Sequence, residues 1–239
     1  MKGFLAGAFA LLALLVAPAA ANAVIITVNT TADEYGTGTS CSLREAITAA
    51  QNNVSFGGCP AGFASDTVSI PDGTYKITRA GTGEDGNATG DFDITGSNAL
   101  DIQPDASNAH VVVDGNGIDR VFQDLSSGLV KFLAIQITGG KLTGFNDGAG
   151  IQNSVGVTSL ENVTVNDNSS EAQGGGVAVY NNVQVINSTI AQNNADGNGG
   201  GFYVPGGASL VARSTTIFGN QADADGDGVR SVRPVHDLL

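Results

Sequence analysis

The stretch "DADGDG" at 223–228 carries the clearest metal-binding pattern in the chain. Asp223, Asp225, Asp227 and Gly228 reproduce the D-x-D-x-D-G opening of a calcium loop, where alternate carboxylates meet one hard cation. The twelfth position should supply a bidentate glutamate, and here it is Pro234. The three aspartates therefore read as a weak calcium site completed by backbone carbonyls or Asp237, or as a polar turn between repeats. No cofactor is required by this reading, and calcium is the one ion the sequence offers.

A second group lies in "VDGNGIDR" at 113–120, which places Asp114, Asp119 and Arg120 close together. Proton transfer needs acids and bases held side by side. Asp-Gly and Asn-Gly are also turn dipeptides, however, and Asp114 fits an Asx turn. The structural reading is preferred here, and again for Asp91 and Asp93, which flank an expected strand start. A polysaccharide lyase would need several calcium-binding acids beside a base that removes a proton next to a carboxylate. The basic candidates Arg120, Lys131, Lys141 and Arg213 show no repeat-spaced acidic pair. Paired-aspartate hydrolase motifs such as N-T-D, D-D and G-H-G are missing, and His110 and His236 stand alone. No catalytic residue is assigned.

The elements that position these residues repeat. Units begin at Gly148, Gly174 and Gly200, and contain the matching segments "ENVTVNDN", "INSTIAQN" and "RSTTIFGN". These end on Asn168, Asn193 and Asn220, and "KFLAIQITGG" at 131–140 is a looser copy. Each unit holds short apolar/polar alternations parted by Gly, Asn and Asp, which is strand chemistry with turn punctuation. Hairpins repeat faster than this, so the period points to a solenoid in which each strand pairs in parallel with its equivalent one coil away. The expected fold is all-β, a right-handed parallel β-helix of about 25 residues per coil. A β-sandwich with Gly-rich loops would not repeat asparagine and triple glycine in register. Stacked Asn168, Asn193 and Asn220 can bond their amides along the axis as a ladder.

One segment breaks the pattern. "CSLREAITAAQNN" at 41–53 predicts a helix over 42–52, opened by the capping box Ser42 and Glu45. Leu43, Ala46, Ile47 and Ala50 form one apolar stripe, with Arg44, Glu45 and Thr48 pointing elsewhere. A solenoid leaves the end of its core and its last strand edge open, so this helix is expected to cap the first coil.

Residues 1–23 read as a signal peptide: Lys2, an apolar run from Phe4 to Val16, then Ala21-Asn22-Ala23. An exported chain whose two cysteines are Cys41 and Cys59 is expected to join them. The formal charge of −13 becomes −14 once Lys2 leaves with the signal. Such acidity excludes nucleic acid and anionic membranes as natural partners, and no later stretch is apolar enough to span a bilayer. The expected organisation is signal 1–23, cap region 24–64, coils 65–228 and an atypical tail 229–239.

The segment 41–53 resembles the motif that names the CSLREA-domain family of exported bacterial proteins. The likeness extends to "TVSIPDGTYKIT" (67–78), "GTGEDGNATGDFDIT" (81–95), "VVVDGNGIDRVFQ" (111–123), Cys59 and Gly174–Gly176. It implies a right-handed β-helix of pectate-lyase-like architecture and no particular reaction. Relatives usually continue through more coils, often to a C-terminal anchor, whereas here the repeat breaks after 228. The tail is either a short natural cap or the mark of a truncated frame. The expectation for function is a monomeric, non-catalytic scaffold outside the cell or on its surface, the periplasm being the other destination, that meets polysaccharide or another cell surface. The alternatives are a β-helix lyase or glycoside hydrolase, and a passenger fragment with no function of its own.

Overall fold

The computed structural model describes residues 23–231. The expected signal peptide, apart from its last residue, and most of the expected tail, with Pro234, His236 and Asp237, lie outside the described residues. The chain is a parallel β-helix with three main sheets and a short fourth one. A long sheet runs from Ile25–Thr27 through Ser65–Ile70, Ala99–Pro104, Leu129–Leu133, Val157–Glu161 and Asn182–Ile186 to Ser209–Arg213. A middle sheet runs from Gly73–Lys76 to Thr216–Phe218, and a narrow one from Phe92–Ile94 to Val229–Ser231. The register of the narrow sheet links Phe92, Phe122, Ile151, Val177, Phe202 and Val229, each one coil from the next. The expected period holds for the later coils, and the early ones are longer.

Alternation decides which residues enter the core. On the long sheet Ile26, Val68, Ile102, Phe132, Leu160, Val185 and Ala212 stack in register and are all buried. Phe92, Phe122 and Phe132 pack as a tilted aromatic column, with ring centroids 5.4 and 4.7 Å apart. Each regular coil turns through left-handed backbone at three corners. Ala134, Asn162, Asn187 and Ser214 share the first, and Gly139, Asp167, Gln192 and Gly219 the second. The third is always glycine: Gly148, Gly174, Gly199 and Gly226. A Cβ on Gly148 would lie 2.4 Å from the Ile151 carbonyl oxygen, so no side chain fits there.

The N-terminal end differs from the sequence reading in two ways. Ile25–Thr27, assigned to the cap region, is already the first strand of the long sheet. The helix Leu43–Asn52 starts at Ser42 with the capping box in place, Ser42 Oγ accepting from the Glu45 N–H at 3.2 Å. It packs against Ser65–Ile70, Phe92–Ile94 and Ile25–Thr27, and Leu43, Ala46, Ile47 and Ala50 join the core. The side chains outside that stripe, Arg44, Glu45 and Thr48, are buried too, which the sequence reading left open. The 31–40 segment and the 81–91 loop fold over them. Arg44 Nε meets Asp33 Oδ1 at 2.6 Å, and its other nitrogens donate to the Gly90 and Asp91 carbonyls at 2.7 and 2.9 Å. Its guanidinium also lies over the Phe92 ring. The disulfide Cys41–Cys59 is formed and holds the start of the helix to the loop beyond it.

At the far end, Val229–Ser231 pairs in parallel with Phe202–Val204. The coils therefore continue past residue 228, and the first part of the expected tail is a regular strand.

Candidate functional site

Unequal coils create a substantial cleft. Between the starts of the middle and narrow strands, the first such coil runs all the way from Gly73 to Phe92. The next runs only from Val111 to Phe122, and the third lengthens again, from Ile135 to Ile151. The later spans, Thr164 to Val177, Thr189 to Phe202 and Thr216 to Val229, are all equal. A short coil between two long ones leaves a recess walled by their loops. Its volume is about 520 Å³, within the usual range for small-molecule sites. Thr82, Gly83 and Asp85 form one wall and Lys141–Thr143 with Phe145–Asp147 the other; Gly117–Arg120, Gln123, Gln152 and Tyr180 complete the lining.

Arg120 is the anchor of this recess. Its Nη1 donates to Asp91 Oδ2 and to Gln123 Oε1, both at 2.9 Å. Nε and Nη2 donate to the Gly148 and Asp147 carbonyls at 3.1 Å each. Arg120 is therefore locked to a single acid from the preceding coil, Asp91, which the sequence reading did not pick out. Asp119 Oδ1 accepts from the Arg120 N–H at 2.8 Å, and burial raises its pKa. Tyr180 donates its phenol hydrogen to Asp147 Oδ2. Burial, the bond to Asp147 and that carboxylate's charge push the phenol pKa up, which keeps it a donor. Tyr203 meets the Tyr180 ring edge-on at 6.4 Å, and Phe145 at the rim is fully exposed.

Below the first wall lies a cluster of buried acids. Asp93 is wholly inaccessible; its Oδ2 accepts from the Asn87 N–H at 3.0 Å, and its Oδ1 has no hydrogen-bond partner among the described residues. Burial, then the charges of Asp91, Glu84 and Asp85, raise its pKa to about 8. Asp91 is raised to about 6 by burial, against the opposing pull of Arg120. Further along the narrow sheet, Asp124 accepts from Ser126 Oγ and Thr158 Oγ1, both at 2.6 Å, and fills a corner of the coil.

The other sequence-predicted residues fall elsewhere. Asn168 Nδ2 donates to Asn193 Oδ1 at 3.0 Å, and Asn193 Nδ2 to Asn220 Oδ1 at 2.9 Å, so the three stack as a ladder. Asn168 Oδ1 accepts from the Gly140 N–H at 2.9 Å, which closes the upper end. Asp223, Asp225 and Asp227 lie in and beside the last glycine corner, but they do not gather. Among the described residues no three His, Cys, Asp or Glu side chains are placed to share a metal ion. Asp227 Oδ1 accepts from the Ala222 N–H at 2.9 Å, and Asp225 lies 3.6 Å from Arg230. Asp114 accepts from the Asn116 N–H as an Asx turn and meets Lys76 at 3.4 Å. Lys131 pairs with Glu161 at 3.5 Å, Lys141 reaches the cleft, and Arg213 ends the last long strand. His110 lies at a turn, its N–H bonded to Asp72.

Gln123, Gln152, Asp147 and Tyr180 went unremarked in the sequence. Their signal was the unequal coil length, which marks where loops must project. Among the described residues no helix is long and apolar enough to cross a membrane. No family model, curated protein or solved structure matches the chain.

Proposed function

We propose that this chain is an exported, monomeric β-helix scaffold that makes non-catalytic contact with extracellular glycan or a neighbouring cell surface. The observation that carries the reading is the cleft itself, polar and rimmed by Phe145 and Tyr180, on an otherwise regular solenoid. Sugars are held by this combination of aromatic faces for their apolar surfaces and fixed amides and carboxylates for their hydroxyls. Export is supported by the pattern of residues 1–23, and membership of the CSLREA-domain family by the motifs at 41–53, 67–78, 81–95 and 111–123.

A lyase or hydrolase is the second reading, favoured by Asp119, a cleft carboxyl with a raised pKa beside Arg120. The hydrogen bonds argue against it. Arg120, the basic group beside Asp119, is tied to Asp91, Gln123 and two carbonyls. A base must be free to take its proton.

The test is retention of the oxidised chain on a panel of insoluble plant, algal and bacterial polysaccharides. Retention that falls at least tenfold in Tyr180→Ala supports the reading. A folded chain that passes through every polysaccharide contradicts it. Calcium has no role in this account, so chelation should leave the melting temperature unchanged; a fall of several degrees would restore Asp223, Asp225 and Asp227 as ligands.

A further inference from the structure

We infer that the cleft selects neutral pyranose chains and rejects uronates, with Gln123 and Gln152 as its hydroxyl-reading pair and Tyr180 as its stacking face. The inference rests on the glycan-contact reading and gives that site its ligand class.

The two glutamines face each other in register on adjacent strands of the narrow sheet. Adjacent strands lie about 4.8 Å apart, which suits two amides meeting neighbouring hydroxyls of one sugar ring. Gln123 is oriented from behind: Arg120 donates to its Oε1, which leaves the amide nitrogen for a ligand oxygen. Gln152 lines the cleft with no partner for its amide among the described residues. Each therefore brings unpaired hydrogen-bonding capacity to a site that the backbone holds rigid. Tyr180 is fixed in the same way. Its hydroxyl is held by Asp147 and its ring edge by Tyr203, so the exposed face is a preorganised platform.

Charge sets the selectivity. Asp85, Asp119 and Asp147 line the cleft against Arg120 and Lys141, and Arg120 is already paired with Asp91. A uronate would enter a net negative recess in which Arg120 is already paired and Lys141 is the other lining cation, in a chain of formal charge −13. Like charges brought together across a site are costly, and the cost is what excludes the wrong partner. Neutral sugars carry no such penalty, and the carboxylates accept from their hydroxyls.

Calorimetric titration of the oxidised chain with glucose, N-acetylglucosamine and galacturonate hexamers tests this. Expected is binding of at least one neutral hexamer, galacturonate at least tenfold weaker, and a tenfold or greater loss in Gln152→Ala and Tyr180→Ala. Gln152→Ala removes a half-buried side chain that holds no other part of the fold, so its melting temperature should match the parent chain. Tyr180→Phe keeps the ring and should retain most of the affinity. Galacturonate bound as tightly as the neutral chains, and lost in the same variants, would overturn the selectivity while leaving the cleft a glycan site. Neutral binding untouched in both alanine variants would place the contact on another face and overturn the inference. No binding of any hexamer, with no retention on polysaccharide, would remove both readings.

Discussion

At the scale of single residues, buried polar groups have narrow tolerances. Asn193 accepts from Asn168 and donates to Asn220 and to the Val165 carbonyl at 3.0 Å. Asn193→Ala takes the acceptor from the buried Asn168 N–H, at about 1–3 kcal/mol, and removes the amide's bonds to Asn220 and Val165. Urea unfolding should show it as more damaging than Asn220→Ala, because Asn220 ends the ladder and is bonded on one side of it. Asp93 makes a different prediction. Its folded pKa of about 8 stands above the ordinary carboxylate value of 3.8, so the folded state favours the neutral acid. The stability it contributes is fully present below pH about 4 and is lost as pH rises towards 8. Asp93→Asn should raise the melting temperature at pH 8 and flatten its fall across that window, leaving the smaller fall that the other raised carboxyls, Asp91, Asp119 and Asp124, supply. A profile identical to the parent's would show that Asp93 is ionised and paired after all. The ladder asparagines were legible because they repeat. Asp91 and Asp93 were not, since in sequence a buried acid and a turn aspartate look alike.

At the scale of elements, the helix 43–52 was legible from its capping box and apolar stripe, but the burial of its other face was not. Periodicity reports which side chains are apolar; it does not report that the distant 81–91 loop will cover the rest. Arg44 is that junction, since it joins the helix to Asp33 and to the 87–92 segment behind the first cleft wall. Arg44→Ala strands the buried Asp33 carboxylate and should cost about 3–5 kcal/mol. Arg44→Lys cannot reproduce the fork of contacts and should recover only part of this loss. Both are read from denaturant midpoints. Cys41→Ser, which opens the loop to Cys59, should cost about 3 kcal/mol on the chain-entropy argument. An unchanged melting temperature there would mean that the helix is held by packing and Arg44 without the bridge.

At the scale of the whole molecule, parallel pairing turns one repeated unit into three stacked faces, and departures from the repeat become the features that differ. The later coils, regular in sequence, are regular in structure. The first three, which vary in length, make the recess. Fold class was therefore readable from Asn168, Asn193, Asn220 and the glycine corners, whereas the cleft needed the three-dimensional register that brings Gln123 under Gln152 and Arg120 beside Asp91. We propose that this recess holds sugar without cleaving it. The most direct measurement is incubation of the oxidised chain with the polysaccharide that retains it, with reading of new reducing ends and unsaturated uronates over many hours. The account predicts retained protein and no product above the rate without protein. Product that accumulates with the parent chain and vanishes in Asp119→Asn would contradict it and make Asp119 a catalytic residue.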